Sequence, residues 1–246
     1  MEIRFDEQVA IVTGAGRGLG RSHAIAMASK GAKVVVNDFS GSNKISENAK
    51  SVVQEITSAG GEAVAHGANV ANFDQVQSMV NETIDKWGRV DILVNNAGIL
   101  RDKTFLKMSV EDMREVIDVH LMGSLNCSKA VWEIMREQSY GRIVLTSSSS
   151  GLYGNFGQTN YGAAKMAMVG VMNTLDLEGM KYNIKVNCLA PTAGTAMTDG
   201  LFPEPVFKLM PPESVSPGVV FLCSEDAPSR KVLAAGGGSF AIFKGF

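Results

Sequence analysis

The chain has 246 residues, of which 45% are hydrophobic and 20% charged, and its formal net charge is -2. This length suits one α/β domain with a sizeable buried core better than two full domains. The weak charge gives no electrostatic reason to expect nucleic acid or an anionic membrane as a partner. Small molecules and other proteins remain as candidate partners.

The cysteines and the termini bear on the cellular compartment. The three cysteines are far apart in the chain and form no C-x-x-C pair: Cys127, Cys188 and Cys223. They predict neither a disulfide framework nor a metal site, so we expect no metal and a reducing environment. No secretory leader and no membrane-spanning stretch is recognisable. We therefore expect a soluble, cytoplasmic protein. The final Lys244-Gly245-Phe246 is not a peroxisomal Ser-Lys-Leu signal, although a domain cut from a larger peroxisomal protein would lack its signal.

Seven short apolar runs recur along the chain, and the first six are followed by segments with helical spacing. The runs cover residues 9–12, 33–36, 63–65, 92–94, 142–145, 184–189 and 240–243. Nearly continuous apolar strands alternating with helices are typical of a parallel sheet covered on both faces. The sequence predicts a single doubly wound (Rossmann) α/β domain over residues 1–246, with a seven-stranded parallel sheet.

Two later segments differ from this rhythm. Residues 109–138 predict one long helix, because Ser109 can cap it and Asp112 stands three residues on. Four prolines between residues 203 and 212 predict a loop or broken helices. We expect the substrate edge of the domain at about residues 192–214.

A glycine-rich turn, residues 13–20 (TGAGRGLG), follows the first strand and precedes a helical segment. Glycines let the backbone turn sharply and approach a pyrophosphate, which then lies over the positive end of the helix. The turn therefore predicts dinucleotide binding by Gly14, Arg17, Gly18, Leu19 and Gly20. A nucleoside triphosphate loop is excluded, because Ala15 and Arg21 replace the first Gly and the Lys of G-x-x-x-x-G-K-[ST].

An acidic residue ends the second predicted strand. Asp38 follows Gly20 by 18 residues, where a carboxylate accepts hydrogen bonds from the adenosine ribose and repels a 2′-phosphate. This spacing favours NAD over NADP. Arg17 keeps NADP open, because a cation beside the turn can bind that phosphate.

Tyr161 and Lys165 stand four residues apart, so a helix would place them on one face. A tyrosine needs its pKa lowered by about 3 units, or about 4 kcal/mol, to act as a base near neutral pH. The Lys165 cation, helped by an oxidised nicotinamide ring, is expected to supply this. Ser148, at the end of the fifth strand, is expected to hydrogen-bond the reacting oxygen.

Taken together, these motifs resemble the classical short-chain dehydrogenases/reductases over essentially the whole chain. The motifs are the glycine turn, Asn95-Asn96-Ala97-Gly98, Ser148, and Tyr161 with Lys165. Within that family, residues 36–39, 97–102, 153–158 and 193–194 look most like the (3R)-hydroxyacyl-CoA dehydrogenase units of multifunctional β-oxidation enzymes. The resemblance implies oxidation of a (3R)-hydroxyacyl-CoA to the 3-ketoacyl-CoA with NAD.

The resemblance also assigns roles to single residues. It implies that Asn96 shapes the pocket at the nicotinamide ribose, that Asn69 and Val70 contact adenine, and that Tyr161 and Lys165 also contact the cofactor. Cofactor contacts are further implied for Ala193 and Gly194, although Pro191-Thr192 replaces the usual Pro-Gly. Family members usually pair through the helices at 109–138 and after residue 163, so a homo-oligomer, dimer or tetramer, is expected.

His120 departs from the family pattern, because it stands where the family has a catalytic asparagine. It is either a proton-relaying catalytic residue or a hydrogen-bonded core histidine.

Two other functions stay open. One is NADPH-dependent reduction of a 3-oxoacyl thioester or another ketone, and the other is a catalytically silent nucleotide-binding scaffold. A Ser-His-Asp hydrolase is disfavoured, because no G-x-S-x-G elbow surrounds a serine.

Overall fold

One twisted sheet of eight strands organises the protein. The computed structural model describes residues 2–41, 44–198, 200 and 203–244. The strands are β1 Val9–Thr13, β2 Lys33–Asn37, β3 Glu62–His66, β4 Ile92–Asn95, β5 Gly141–Thr146, β6 Ile184–Thr192, β7 Val232–Gly236 and β8 Ser239–Ile242. Their order across the sheet is β3-β2-β1-β4-β5-β6-β7-β8. All neighbouring pairs are parallel except β7 with β8. The doubly wound α/β fold predicted from the sequence is confirmed.

The carboxyl-terminal strands of the sheet differ from the sequence prediction. The apolar run 240–243, predicted as the seventh parallel strand, overlaps β8, which is antiparallel and exposed along its length. The seventh parallel strand is β7, which the search for apolar runs missed because its sequence is rich in alanine. Gly237 and Gly238, with φ of 54° and 75°, form the tight hairpin turn that reverses the chain between the two strands.

Helices cover both faces of the sheet. They are α1 Gly18–Ser29, α2 Glu47–Ser58, α3 Phe73–Trp87, α4 Val110–Ile117, α5 Gly123–Gln138, α6 Ser149–Tyr153, α7 Thr159–Gly179, α8 Glu204–Lys208 and α9 Ser216–Cys223. One hydrophobic core joins the sheet to α1, α2 and α9. A second core joins the opposite face to α3, α5 and α7. The two-sided burial explains why the strand sequences are apolar without alternation.

The segment predicted as one helix from 109 to 138 begins and ends as expected but is interrupted. The predicted capping box between Ser109 and Asp112 is present at the start of α4. A π-helical turn, Asp118–Met122, separates α4 from α5. The extra residue that a π turn inserts shifts the helix register, and such turns often occur at functional sites. His120 lies in this turn.

The proline-rich segment contains the short helix α8 and a 3₁₀ turn at Pro212–Ser214, which confirms broken helices. Asp199, Leu201 and Phe202 of the predicted substrate edge, and Gly245 and Phe246 of the terminus, lie outside the described residues. Within the described ranges, no helix combines the length and apolar character needed to cross a membrane. Nor does that part of the chain bring three His, Cys, Asp or Glu side chains together as a metal site.

Candidate active site

The glycine turn after β1 is held by a network from the loop after β4. The Thr13 hydroxyl accepts hydrogen bonds from the backbone N–H groups of Asn96 and Ala97, each at 3.0 Å. The side-chain amide of Asn96 donates to the carbonyls of Thr13 at 2.9 Å and Gly14 at 3.1 Å. Asn96 therefore holds the backbone of the glycine turn in place. The sequence reading of Asn96 as a residue of the ribose pocket stays a prediction.

Two glycines of the turn have backbone angles that favour glycine, φ of 62° at Gly14 and 53° at Gly18. Gly20 is required for close packing, because a methyl group there would overlap the Gly14 carbonyl. Arg17 is exposed and gives no side-chain cap to α1. The N–H groups of the first helical turn are therefore left for an external anion. The side chain of Leu19, in contrast, packs against the core.

Asp38 lies directly against this turn. A methyl group on Gly16 would overlap the Asp38 carboxylate. The same carboxylate accepts a 2.7 Å hydrogen bond from the hydroxyl of Ser46, which also caps α2 through the N–H of Ala49. Sequence reasoning missed Ser46, although a serine three residues before Ala49 at the start of a helical pattern is an N-cap signal. The turn, its free N–H groups and the adjacent carboxylate fit a dinucleotide.

Asn69 and Val70, predicted to contact adenine, have their own structural partners. The Asn69 side-chain oxygen accepts the N–H of Ala71 at 3.0 Å, and its backbone N–H donates to Gln75 at 2.9 Å. The buried Val70 gives its carbonyl to the side chain of Asn126 at 2.9 Å. These hydrogen bonds hold the loop in place, and its contact with adenine stays a prediction.

The loop after β6 abuts the glycine turn. The side chain of Thr195 lies 3.6 Å from where a β-carbon on Gly18 would stand. Ala193 is buried, and the N–H of Gly194 donates to the carbonyl of Met210 at 2.6 Å. The loop therefore borders the predicted cofactor site, while the individual contacts of Ala193 and Gly194 with a cofactor stay predictions.

The predicted catalytic residues meet at the carboxyl edge of β5. Ser148 follows β5 and caps α6, and Tyr161 stands in the first turn of α7. Burial raises the pKa of the Tyr161 phenol, a hydrogen bond with Ser148 lowers it, and the charge of Asp102 raises it. Ser148 and Tyr161 therefore lie close together, and the role of Ser148 as a partner of the reacting oxygen stays a prediction.

Lys165 stands one helical turn after Tyr161 and is 4% exposed. Its ammonium donates a 2.6 Å hydrogen bond to the carbonyl of Thr146, and it lies 5.5 Å from the centre of the Tyr161 ring. Burial lowers the pKa of Lys165 to about 7. Burial raises the pKa of Tyr161 as well, because it disfavours the charged form of each group. The expectation that Lys165, helped by an oxidised nicotinamide ring, lowers the pKa of Tyr161 stays a prediction.

His120 completes the cluster and is 2% exposed. Its ring meets the Tyr161 ring edge-on, with the centres 5.2 Å apart, and it presses against Gly98. Its Nε2 lies 2.8 Å from the Ile99 carbonyl, whereas its Nδ1 is buried and has no hydrogen-bond partner in the described ranges. Burial, and then the charge of Lys165, lower the pKa of His120 to about 3. The ring is therefore neutral at physiological pH.

Two further groups that sequence reasoning missed position the cluster. The Thr146 carbonyl holds Lys165, and the buried Asn160 fixes the start of α7. The Asn160 side chain donates to the carbonyls of Arg101 at 3.3 Å and Asp112 at 3.2 Å, and it accepts the N–H of Tyr161 at 2.7 Å. A polar residue beside Tyr161 was the available signal, but its partners are 48 and 59 residues away in the chain.

With this geometry in place, comparison with known proteins assigns the family. The family described as short chain dehydrogenase matches residues 8–205, so the chain belongs to the short-chain dehydrogenases and is an oxidoreductase. The chain is 49% identical to a short-chain type dehydrogenase/reductase of Mycobacterium tuberculosis, over 94% of this chain and 83% of that protein. It is also 49% identical to the peroxisomal multifunctional enzyme type 2 of Drosophila melanogaster, over 91% of this chain but only 38% of that longer protein. A 3-oxoacyl-[acyl-carrier-protein] reductase of Synechocystis is 44% identical, over 89% of this chain and 90% of that protein.

Solved structures agree with this assignment. A short chain dehydrogenase from Mycobacterium avium superimposes with a TM-score of 0.89 at 41% identity, covering 98% of this chain and 87% of that one. A 7α-hydroxysteroid dehydrogenase complexed with NADH and a 7-oxo bile acid superimposes with a TM-score of 0.87 at 31% identity, covering 96% and 95%. Members of this family use nicotinamide dinucleotides.

A pair of glycine substitutions tests the turn. In Gly20→Ala the added methyl group displaces the Gly14 carbonyl, so we expect the Kd for NAD to rise by about tenfold or more, because about 1.4 kcal/mol of lost binding is tenfold. Calorimetry measures this. The matched control is Gly170→Ala on α7, where a methyl group meets open space and removing a helical glycine adds up to about 1 kcal/mol of stability. Equal NAD affinity in the two variants would contradict the role of the turn.

Proposed function

We propose that the chain oxidises a (3R)-hydroxyacyl-CoA to the 3-ketoacyl-CoA with NAD. The observation that carries the proposal is the cluster of Ser148, Tyr161 and the buried Lys165 at the carboxyl end of β5, with the Lys165 ammonium 5.5 Å from the centre of the Tyr161 ring. Similarity to the peroxisomal multifunctional enzyme type 2 of Drosophila supports the acyl-CoA substrate. This chain spans 38% of the length of that protein.

Ser148, Tyr161 and Lys165 have different chemical roles in the proposed reaction. A bound nicotinamide dinucleotide supplies the hydride acceptor. Ser148 hydrogen-bonds the alcohol oxygen, and Tyr161 takes the alcohol proton as general base. The phenolate charge needs a nearby cation, and Lys165 provides it. A negative phenolate in turn favours the protonated form of Lys165, so the two groups titrate as a coupled pair.

Substitution of the phenol tests the assignment. Tyr161→Phe keeps the ring against His120 but removes the acid–base group, so we expect kcat for hydroxyacyl-CoA oxidation to fall by a factor of about 10² to 10⁴. NAD binding should persist within about threefold, since the ring stays in place. Reduced-nicotinamide absorbance and calorimetry give the two numbers. Unchanged turnover would favour a different base, and wild-type protein without turnover on any alcohol would favour the silent scaffold.

The cofactor proposal is NAD rather than NADP. The Asp38 carboxylate beside the turn, held by Ser46, offers acceptors to ribose hydroxyls and repels a 2′-phosphate. We expect kcat/KM with NAD to exceed kcat/KM with NADP. In Asp38→Asn the carboxylate charge that repels the 2′-phosphate is gone, so the ratio of the two kcat/KM values should fall by about tenfold. Asp226→Asn, an exposed acid elsewhere, is the charge-matched control. A wild-type preference for NADP would overturn the proposal.

The second candidate is NADPH-dependent reduction of a 3-oxoacyl thioester. Two observations favour it: the exposed Arg17 beside the glycine turn, and the similarity to the Synechocystis reductase. The two-cofactor comparison decides between the candidates. The expected homo-oligomer and cytoplasmic location stay predictions, and light scattering on the purified chain measures the first.

For His120 we propose the relay role in a neutral form, carried by the free Nδ1. General acid–base groups contribute factors of about 10² to 10⁴, so His120→Ala should lower kcat by about tenfold or more while His120→Asn, which keeps a polar side chain, loses less. The KM for NAD should be unchanged in both variants. Full activity in His120→Ala would mean that the ring is a packing residue only.

A further inference from the structure

The loop after β4 is tied to the start of α7 by three hydrogen bonds. The side-chain amide of Gln158 donates to the carboxylate of Asp102 at 2.6 Å. The backbone N–H of Lys103 donates to the Gly157 carbonyl at 2.9 Å. The third bond is the one already described from Asn160 to the Arg101 carbonyl. Asp102 is therefore fixed relative to the first turn of α7, which carries Tyr161.

The charge of Asp102 is not cancelled by its neighbours in the chain. Arg101 forms a two-pronged ion pair with Glu115 at 2.8 Å, and Lys103 pairs with Asp112 at 2.7 Å. In residues 2–41, 44–198, 200 and 203–244, no cation comes within ion-pair distance of Asp102. Its partner is the neutral amide of Gln158, which is itself 6% exposed and held by Asn155 at 3.1 Å.

Three groups lie near the Tyr161 phenol or ring: Lys165 from α7, the neutral His120 from the π turn, and Ser148 from the end of β5. Asp102 is an exposed carboxylate on the loop after β4, tied to the start of α7 through Gln158, and its charge acts on the phenol from there. Asp102 adds to the effect of burial in raising the pKa of Tyr161, against the hydrogen bond from Ser148.

Resting on the proposed function, we propose that Asp102, held by Gln158, is a positioning residue that acts through Tyr161 and keeps it in its proton-bearing form. A protonated phenol cannot take the alcohol proton, so oxidation of the (3R)-hydroxyacyl-CoA by NAD needs the phenolate and becomes faster in more alkaline solution. In the reverse reaction, with hydride from a reduced nicotinamide, the protonated phenol would donate its proton to the carbonyl oxygen.

The direction of the effect follows from the charge. Removing the carboxylate charge lowers the pKa of the phenol, so the phenolate is populated at lower pH. The rising limb of kcat/KM for alcohol oxidation then moves to lower pH. The falling limb of carbonyl reduction moves in the same direction.

The test compares pH profiles of oxidation between about pH 6 and pH 10, bracketing the tyrosine range. Asp102→Asn keeps an oxygen that can accept the Gln158 amide, and we expect its rising limb at lower pH and its oxidation rate at neutral pH higher than wild type. Asp102→Glu keeps the charge, and its limb should stay near the wild-type position. Asp85→Asn, an exposed acid on α3, is the charge-matched control and should leave the profile unchanged.

The proposal is overturned if the rising limb of the oxidation profile of Asp102→Asn stays at the wild-type pH or moves to higher pH. A thermal unfolding curve for each variant separates electrostatics from lost structure, because a merely structural role would damage Asp102→Glu and leave the limb of Asp102→Asn in place. Failure here is distinct from failure of the proposed function. If Tyr161→Phe is inactive while the Asp102→Asn limb is unmoved, only the role of Asp102 is lost. If Tyr161→Phe is fully active, the proposed function itself is wrong.

Discussion

The active site depends on one buried ammonium. Lys165 lies almost completely out of water, with the carbonyl of Thr146 as its hydrogen-bond acceptor at 2.6 Å. A charge so placed is costly, which is why burial lowers the pKa of Lys165 to about 7. Because of this cost, the protonation of Lys165 depends on its neighbours. Any negative charge that develops on Tyr161 stabilises the ammonium and raises the pKa of Lys165. The bond also ties the end of β5 to α7 and so sets the position of the phenol.

The local parts of this arrangement could be predicted from the sequence. The glycine turn lies between a strand and a helix, and each of those has its own apolar pattern. Tyr161 and Lys165 share a helix face because four residues make about one turn. The first six strands are where their apolar runs place them, because strands buried on both faces have little freedom to be polar. Ser148 lies just past the end of β5, at the edge of the sheet where parallel α/β proteins bind ligands.

The remaining features depend on contacts between distant segments. The clamp from Asn96 onto Thr13 and Gly14, and the bond from Gln158 to Asp102, join residues more than fifty positions apart. Spacing along the chain shows the cation near Tyr161 but not the burial that raises the pKa of the phenol. The π turn that holds His120 is a change of register inside an unbroken helical pattern. The apolar run at the carboxyl end was read as parallel because the glycine hairpin before it was not recognised.

The central claim is that the Tyr161 phenol exchanges a proton with the reacting oxygen while Lys165 supports its charge. A crystal structure of the protein with NAD and an unreactive 3-hydroxyacyl thioester analogue tests this most directly. We expect the Tyr161 hydroxyl within hydrogen-bond distance of the analogue's hydroxyl oxygen, with Ser148 as the second partner and the nicotinamide C4 on the far side of the carbinol carbon. A Tyr161 hydroxyl turned away from that oxygen, or another ionisable group in its place, would contradict the account.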